Sequence, residues 1–233
     1  MTTTTEHEPL GGRDGKSPTL AQAARAFFTF RSPRSFAVMW PLLVAARVAV
    51  GGFSWADLLV VPIVIAAQPF VEWLIHVYIL HFKPARVFGR SFDLQIAKFH
   101  RAHHRDPWRL ELVFIPRRAG WIGLGIFALI WFLLSPTPQV AFTGVVATVT
   151  TAFLYEWTHY LTHTGYKPRS EFYRKIWRYH RLHHFKNEHY WQGVTTHFGD
   201  RVLGTMPDHT TVPNSPTCRT LGVEAPTDLP GPP

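Results

Sequence analysis

Apolar residues in this chain gather into four long runs. They span Phe36 to Phe53, Trp55 to Leu80, Ala119 to Leu134 and Pro138 to Leu161. Each run approaches the ~20 residues a helix needs to cross a bilayer core. Four such runs in 233 residues leave too little polar sequence to cover them as buried helices of a water-soluble protein. The pattern therefore predicts an all-α integral membrane protein with about four transmembrane helices. The first run carries Arg47, which can snorkel from near a helix end; a shallow or re-entrant segment is the alternative there.

The connectors fix the pairing. "GGFSW" joins the first two runs and "SPTP" joins the last two. Both are uncharged and too short to cross anything, so each pair of runs predicts a helical hairpin. The basic residues lie at the other end: Lys16, Arg25, Arg31 and Arg34, then Lys83 through Arg118, then Lys167 through Arg201. The positive-inside rule makes that end cytoplasmic. A net charge of +9 and a pI near 10.1 would suit a nucleic-acid partner. Placed this way, the charge instead forms a basic rim facing anionic headgroups, and no nucleic acid is expected.

The flanks differ from the middle. Residues 1–35 read as a polar N-terminal tail without a cleavable signal peptide, in which "AQAARAFFTF" predicts a short interfacial helix. Residues 36–205 hold the membrane domain. Residues 206–233 are rich in Pro and Thr and read as a disordered tail.

Histidine changes the picture. The chain has fourteen, against one cysteine, Cys218, so neither a disulfide framework nor a Cys-based zinc signature is available. Ten of them fall at the basic end of the hairpins: His76 and His81; His100, His103 and His104; His159 and His163; His180, His183 and His184. Positions i, i+3 and i+4 share a helix face, so each H-x-x-H-H triplet predicts three imidazoles in one small volume. His159 and His163 do the same with two. His76 and His81, at i and i+5, would stand about 140° apart on an ideal helix. That pair needs a helix end or a distortion, or each member serves a different metal.

Neutral imidazole is a common ligand for zinc, iron, copper and nickel. Ten ligands exceed one coordination sphere and suit two ions with about five each. His7 and His209 read as interfacial or satisfied polar residues, and His189 and His197 as ligands or outer partners. Imidazole ligands are usually oriented through their second nitrogen. Glu72 lies one turn before His76 and Glu156 one turn before His159; Asp106, Glu188 and Asp200 lie near the other clusters. A histidine-rich metal pair beside a bilayer suits a lipid substrate and oxygen chemistry rather than hydrolysis, which zinc alone would support.

The stretches "EWLIHVYILH", "KFHRAHHRDPWRLELVFIPRR", "YEWTHYLTHTGY" and "WRYHRLHHF…HYWQGVTTHFGDRVLGT" resemble the fatty acid hydroxylase/sterol desaturase superfamily of membrane enzymes. The resemblance runs from about Glu72 to Thr205, with the pattern HX4H, HX2HH, HX3H, HX2HH complete. The ending is most similar to the fatty acid 2-hydroxylase branch, although Glu156 stands where that branch commonly has Asp. The resemblance implies two iron ions held by the ten histidines, with zinc an alternative occupant. It implies O2 as cosubstrate, an external electron donor such as a separate ferredoxin or cytochrome, and a lipid entering from the bilayer. Hydroxylation of an acyl C–H bond is the expected reaction, with desaturation as its variant. Glu156 and Asp200 are the candidate catalytic carboxylates; Tyr155, Tyr160 and Trp191 are weaker candidates for shaping the substrate mouth.

Rival readings are a sterol desaturase or oxidase, or a carotenoid hydroxylase, of the same fold. A membrane metal-binding or transport protein is the rival from another class. Transport would place ligands on a path across the membrane, whereas these gather at one face.

Overall fold

A computed structural model describes residues 17–224. Four of its helices are long and apolar enough to cross a membrane. Helix α1 (Leu20–Phe27) precedes α2 (Arg31–Val50) and α3 (Trp55–Leu74), and α3 continues as a π-helical turn over Ile75–Leu80. A small antiparallel hairpin, β1 (Ala85–Val87) and β2 (Arg90–Phe92), leads into α4 (Gln95–Arg105). A 3-10 turn at Leu110–Val113 enters α5 (Arg117–Leu134), followed by α6 (Pro138–Thr162), α7 (Glu171–Phe185) and α8 (Phe198–Val202).

The two hairpins expected from the connectors form, and α6 is their shared axis: α2, α3 and α5 all pack on it. Gly144 permits the closest approach, since a Cβ there would meet the Trp131 ring of α5 at 2.1 Å. No residue of α5 is buried. Leu133 and Leu134 are more than 70% exposed, an outward apolar surface suited to a lipid environment.

Arg47 does not snorkel. It is buried at the turn end of the first hairpin, where its guanidinium donates to Asp57 Oδ1 (2.7 Å), Thr143 Oγ1 (2.6 Å) and the Gly51 carbonyl (2.7 Å). Asp57 also caps α3 by accepting from the Ser54 N–H and hydroxyl. One buried ion pair thus ties α2, α3 and α6 together, with its remaining donors and acceptors satisfied.

Helix α1 also departs from a free interfacial helix. Its capping box closes on Thr19 and Gln22. Ala23 and Phe27 are buried among Phe114, Phe153, Trp157 and Tyr160. The tail expected from residue 206 is ordered through 224, with Val212 and Leu221 buried. Pro213 and Thr217 hydrogen-bond to Asn187 and Glu188, just beyond the end of α7.

Candidate metal centre

The ten histidines form two groups of five. One holds His76, His81, His100, His104 and His183; the other holds His103, His159, His163, His180 and His184. In each group one ligating nitrogen per residue lies within 4.8 Å of all the others. The H-x-x-H-H triplets are therefore divided, not pooled as the sequence pattern suggests. Adjacent residues on a helix point about 100° apart, so His103 and His104 cannot aim at one centre, nor can His183 and His184. The i, i+4 pair of each triplet stays together and the middle histidine crosses to the other group.

The result is a pseudo-symmetric exchange between the halves of the chain. Each group takes a pair from the end of a span, a pair from the helix that follows, and one ring from the other half. The i, i+4 pairs match closely: His100 and His104 lie 4.7 Å apart at 70°, His180 and His184 4.6 Å apart at 72°.

His76 and His81 belong to one group because of the π turn. The His81 N–H donates to the His76 carbonyl at 3.0 Å, an i to i+5 bond that stacks residues five apart. Their rings come within 4.8 Å.

The second ring nitrogens assign the tautomers. His76 Nδ1 contacts the Gln192 carbonyl at 2.6 Å, His104 Nδ1 that of Cys218 at 2.8 Å and His183 Nδ1 that of Tyr190 at 2.9 Å. His159 Nδ1 contacts the Val113 carbonyl at 2.9 Å. A carbonyl only accepts, so each Nδ1 carries the proton and each neutral ring presents a lone pair at Nε2. These Nε2 atoms converge. His183 Nε2 lies 3.3 Å from that of His104, and His100 Nε2 lies 3.2 Å from His104 and 3.1 Å from His76. In the second group, His180 Nε2 lies 2.8 Å from His163 and 3.1 Å from His184.

The lone pairs of His104 and His183 face each other, and they repel unless a cation lies between them. An ion about 2.0–2.1 Å from each nitrogen would space right-angled ligands about 2.9 Å apart and tetrahedral ones about 3.3 Å apart. The observed contacts, from 2.8 to 3.3 Å, match that range to within 0.1 Å. The Nε2 atoms of His81, His103 and His159 are buried without any protein partner, as ligands awaiting an ion would be. Burial holds His81, His100, His103, His163, His180, His183 and His184 well below the ordinary imidazole range, and His104 at about 3. The rings are thus neutral, the form that ligates.

The carboxylates act at one remove from the ten grouped histidines. Glu72 accepts from the Val194 N–H, the Thr195 N–H (2.9 Å) and the Thr195 hydroxyl (2.5 Å). Asp200 grips the same loop from its other end, accepting from Gln192 N–H and Gly193 N–H, both at 2.8 Å. Together they hold the loop whose Gln192 carbonyl orients His76. Gly193 is required there, because a Cβ would lie 2.1 Å from the Thr196 carbonyl oxygen.

Glu156 likewise binds no imidazole. Its Oε1 accepts from the Ser32 hydroxyl (2.6 Å) and the Ile115 N–H (2.9 Å), and its Oε2 is buried without a partner. The orienting carbonyls, at Gln192, Tyr190, Val113 and Cys218, carry no side-chain signal that sequence could reveal.

The other expected residues disperse. His197 contacts Asp200 Oδ2 at 3.3 Å and His189 lies beside Glu188 at 3.5 Å, both outside the two groups. His209 meets Arg178, and His7 is outside the described residues. Trp191 is fully buried at φ 56°, its backbone N–H donating to the Thr205 carbonyl and its indole N–H to the Pro207 carbonyl. Tyr160 donates to the Ala23 carbonyl, and only Tyr155 approaches the site, 5.6 Å from the His159 ring. Beside His81 lies a cavity of about 250 Å3, lined by Trp73, Val77, Lys83, His189 and Leu221 among others.

Fold and site together define an integral membrane protein built around two five-histidine groups that fit metal ions. The chain belongs to the fatty acid hydroxylase family, whose sequence profile matches residues 61–205. It is 28% identical over 146 residues to the dihydroceramide fatty acyl 2-hydroxylase FAH2 of Arabidopsis thaliana, covering 61% of this chain and 60% of that protein. FAH1 of the same plant, also a dihydroceramide fatty acyl 2-hydroxylase, is 26% identical over 86% of this chain and 84% of its own length. The fatty acid 2-hydroxylase of Macaca fascicularis is 30% identical over 64% of this chain but only 38% of that protein. Among solved structures, the hydroxylase domain of full-length scs7p matches with a TM-score of 0.66 at 24% identity, covering 85% of this chain and 74% of that one. That likeness speaks to the fold.

Proposed function

We propose that this protein is a fatty acyl 2-hydroxylase that inserts one oxygen atom from O2 into a lipid C–H bond. The observation that carries the reading is the pair of five-histidine groups, each with its ligating nitrogens within 4.8 Å of one another, at one end of a membrane bundle. Family membership and the names of the relatives support the acyl chain as substrate and its second carbon as the position. Two iron ions, when bound, would supply the activation of O2, drawing two electrons from an external ferredoxin or cytochrome and releasing the second oxygen atom as water.

The chain's own residues do the rest. Ten histidines would hold the ions, and their burial keeps water and protons from the ligating nitrogens. Glu72 and Asp200 position His76 through the 192–195 loop; they are positioning residues rather than groups that meet the substrate. The cavity beside His81 joins apolar side chains of the α3 end, Trp73 and Val77, to the polar Lys83 and His189. It suits a lipid whose acyl chain lies in the bilayer and whose polar end lies at the basic rim. The distribution of Lys and Arg supports a cytoplasmic histidine face.

The test is mass spectrometry of total lipids from a host expressing the protein, with His183→Ala as control. A wild-type-only lipid heavier by one oxygen, with fragmentation placing the hydroxyl on the second acyl carbon, is expected. A lipid lighter by two hydrogens would make the protein a desaturase instead.

A further inference from the structure

The family profile ends at residue 205, yet the chain beyond it returns to the first histidine group. Residues 212–223 cross from the end of α7 to the end of α4, the two helices that carry the H-x-x-H-H triplets. At α7, the Ser215 N–H donates to the Lys186 carbonyl (2.7 Å) and the Asn187 amide to the Pro213 carbonyl (3.1 Å). The Thr217 hydroxyl donates to Glu188 Oε1. At α4, Arg105 donates to the Val223 carbonyl (3.0 Å) and Arg219 to the Arg105 carbonyl. Between these anchors the Cys218 carbonyl accepts from His104 Nδ1 at 2.8 Å.

We propose that this strap is a working part of the first metal group, with Cys218 a positioning residue whose backbone carbonyl fixes the tautomer and aim of His104. The inference assumes that the histidine groups bind metal.

The physical case is an accounting of one ring. His104 is fully buried, so its Nδ1–H must find an acceptor inside the protein. The carbonyl of Cys218 is that acceptor. Without it, the ring keeps an unsatisfied buried donor or moves the proton to Nε2. A proton on Nε2 points into the group and excludes a cation. The oriented partners of His104, namely His76 and His183, take their carbonyls from Gln192 and Tyr190, inside the profile. His104 alone of the three depends on the segment beyond it. Among the described residues the strap hydrogen-bonds to no histidine of the second group, so the one ring it orients directly belongs to the first. Leu221 of the strap also lines the cavity beside His81.

The test uses the full chain in detergent, stripped with a chelator and titrated with Zn2+ as a redox-silent probe. Wild type is expected to show two sites. Ending the chain after Thr211 should weaken one site about 10–100-fold, the usual effect of losing an outer partner, and leave the other unchanged. The same truncation should add nothing in a His104→Ala background, because both changes remove the same ligand. Thr217→Val with Arg219→Ala loosens the anchors on either side of Cys218 at full chain length. It should weaken the same single site even if the truncated chain does not fold. Wild-type affinity at both sites in this double variant, or parallel weakening of both, would overturn the proposal. Failure of wild type to bind Zn2+ would overturn the metal reading itself, and the strap proposal with it.

Discussion

His104 and His183 come from helices 79 positions apart and face each other through Nε2 atoms 3.3 Å apart, each with its Nδ1 proton committed to a carbonyl. Two lone pairs so placed have no hydrogen bond to share. The fold spends stability to keep them there, and a bound cation returns it.

Single-ligand changes should therefore separate the groups. His183→Ala removes a ligand from the first and His103→Ala from the second. Each variant should insert in the membrane, retain about half of the bound metal by elemental analysis, and lose hydroxylated product. Full activity in either variant would remove that residue from the ligand set.

Acid should unfold the metal-free protein. An imidazole whose folded pKa is depressed binds its proton more readily in the unfolded chain. Stability is then complete above about 6.5 and is lost as the pH falls toward the folded values, which for His104 is about 3. Thermal melts of chelator-treated protein should show a lower Tm at pH 5 than at pH 8. A flat profile would mean that the rings are open to water.

Glu72→Ala should loosen the 192–195 loop and leave two backbone N–H groups buried without an acceptor. A cost of about 2–4 kcal/mol is expected from the lost hydrogen bonds and the stranded N–H groups. Metal should be lost from the first group, since Gln192 no longer fixes His76. Equal loss from both groups in a Zn2+ titration would place Glu72 outside this role.

Glu156→Ala separates structure from ligation. It frees Ser32 and the Ile115 N–H, so a lower Tm is expected with metal stoichiometry close to two. A drop to one ion, measured on folded protein, would show that Glu156 reaches a ligand after all.

Much of this architecture is legible in the sequence, because apolar length and connector length are local properties. The four spans and both hairpins follow from them, and helical spacing marks the ten histidines. The division of each triplet is also implicit, in the 100° between His103 and His104, although spacing alone does not say that two centres flank the helix. What sequence conceals is set by chain reversal. The Gln192, Val113 and Cys218 carbonyls reach imidazoles 116, 46 and 114 positions away. Backbone acceptors have no residue type to betray them. By the same limit, Glu72, Asp200 and Glu156 anchor backbone N–H groups and touch none of the ten grouped imidazoles. Composition also misread residues 206–224, where Pro and Thr describe an irregular strap tied down by hydrogen bonds.

The π turn carries a lesson about insertions. His76 and His81, five apart, lie 4.8 Å from each other at 85°; His159 and His163, four apart on α6, lie 4.9 Å from each other at 82°. The wider π turn accommodates one more residue than an α-helical turn and leaves the paired rings where a regular helix would put them. Counting letters makes HX4H and HX3H two different motifs. Measured in space they are the same part, one of them lengthened by one residue, so a deletion between His76 and His81 that restored α-helical pitch would be the gentlest way to shorten this chain within its metal centre.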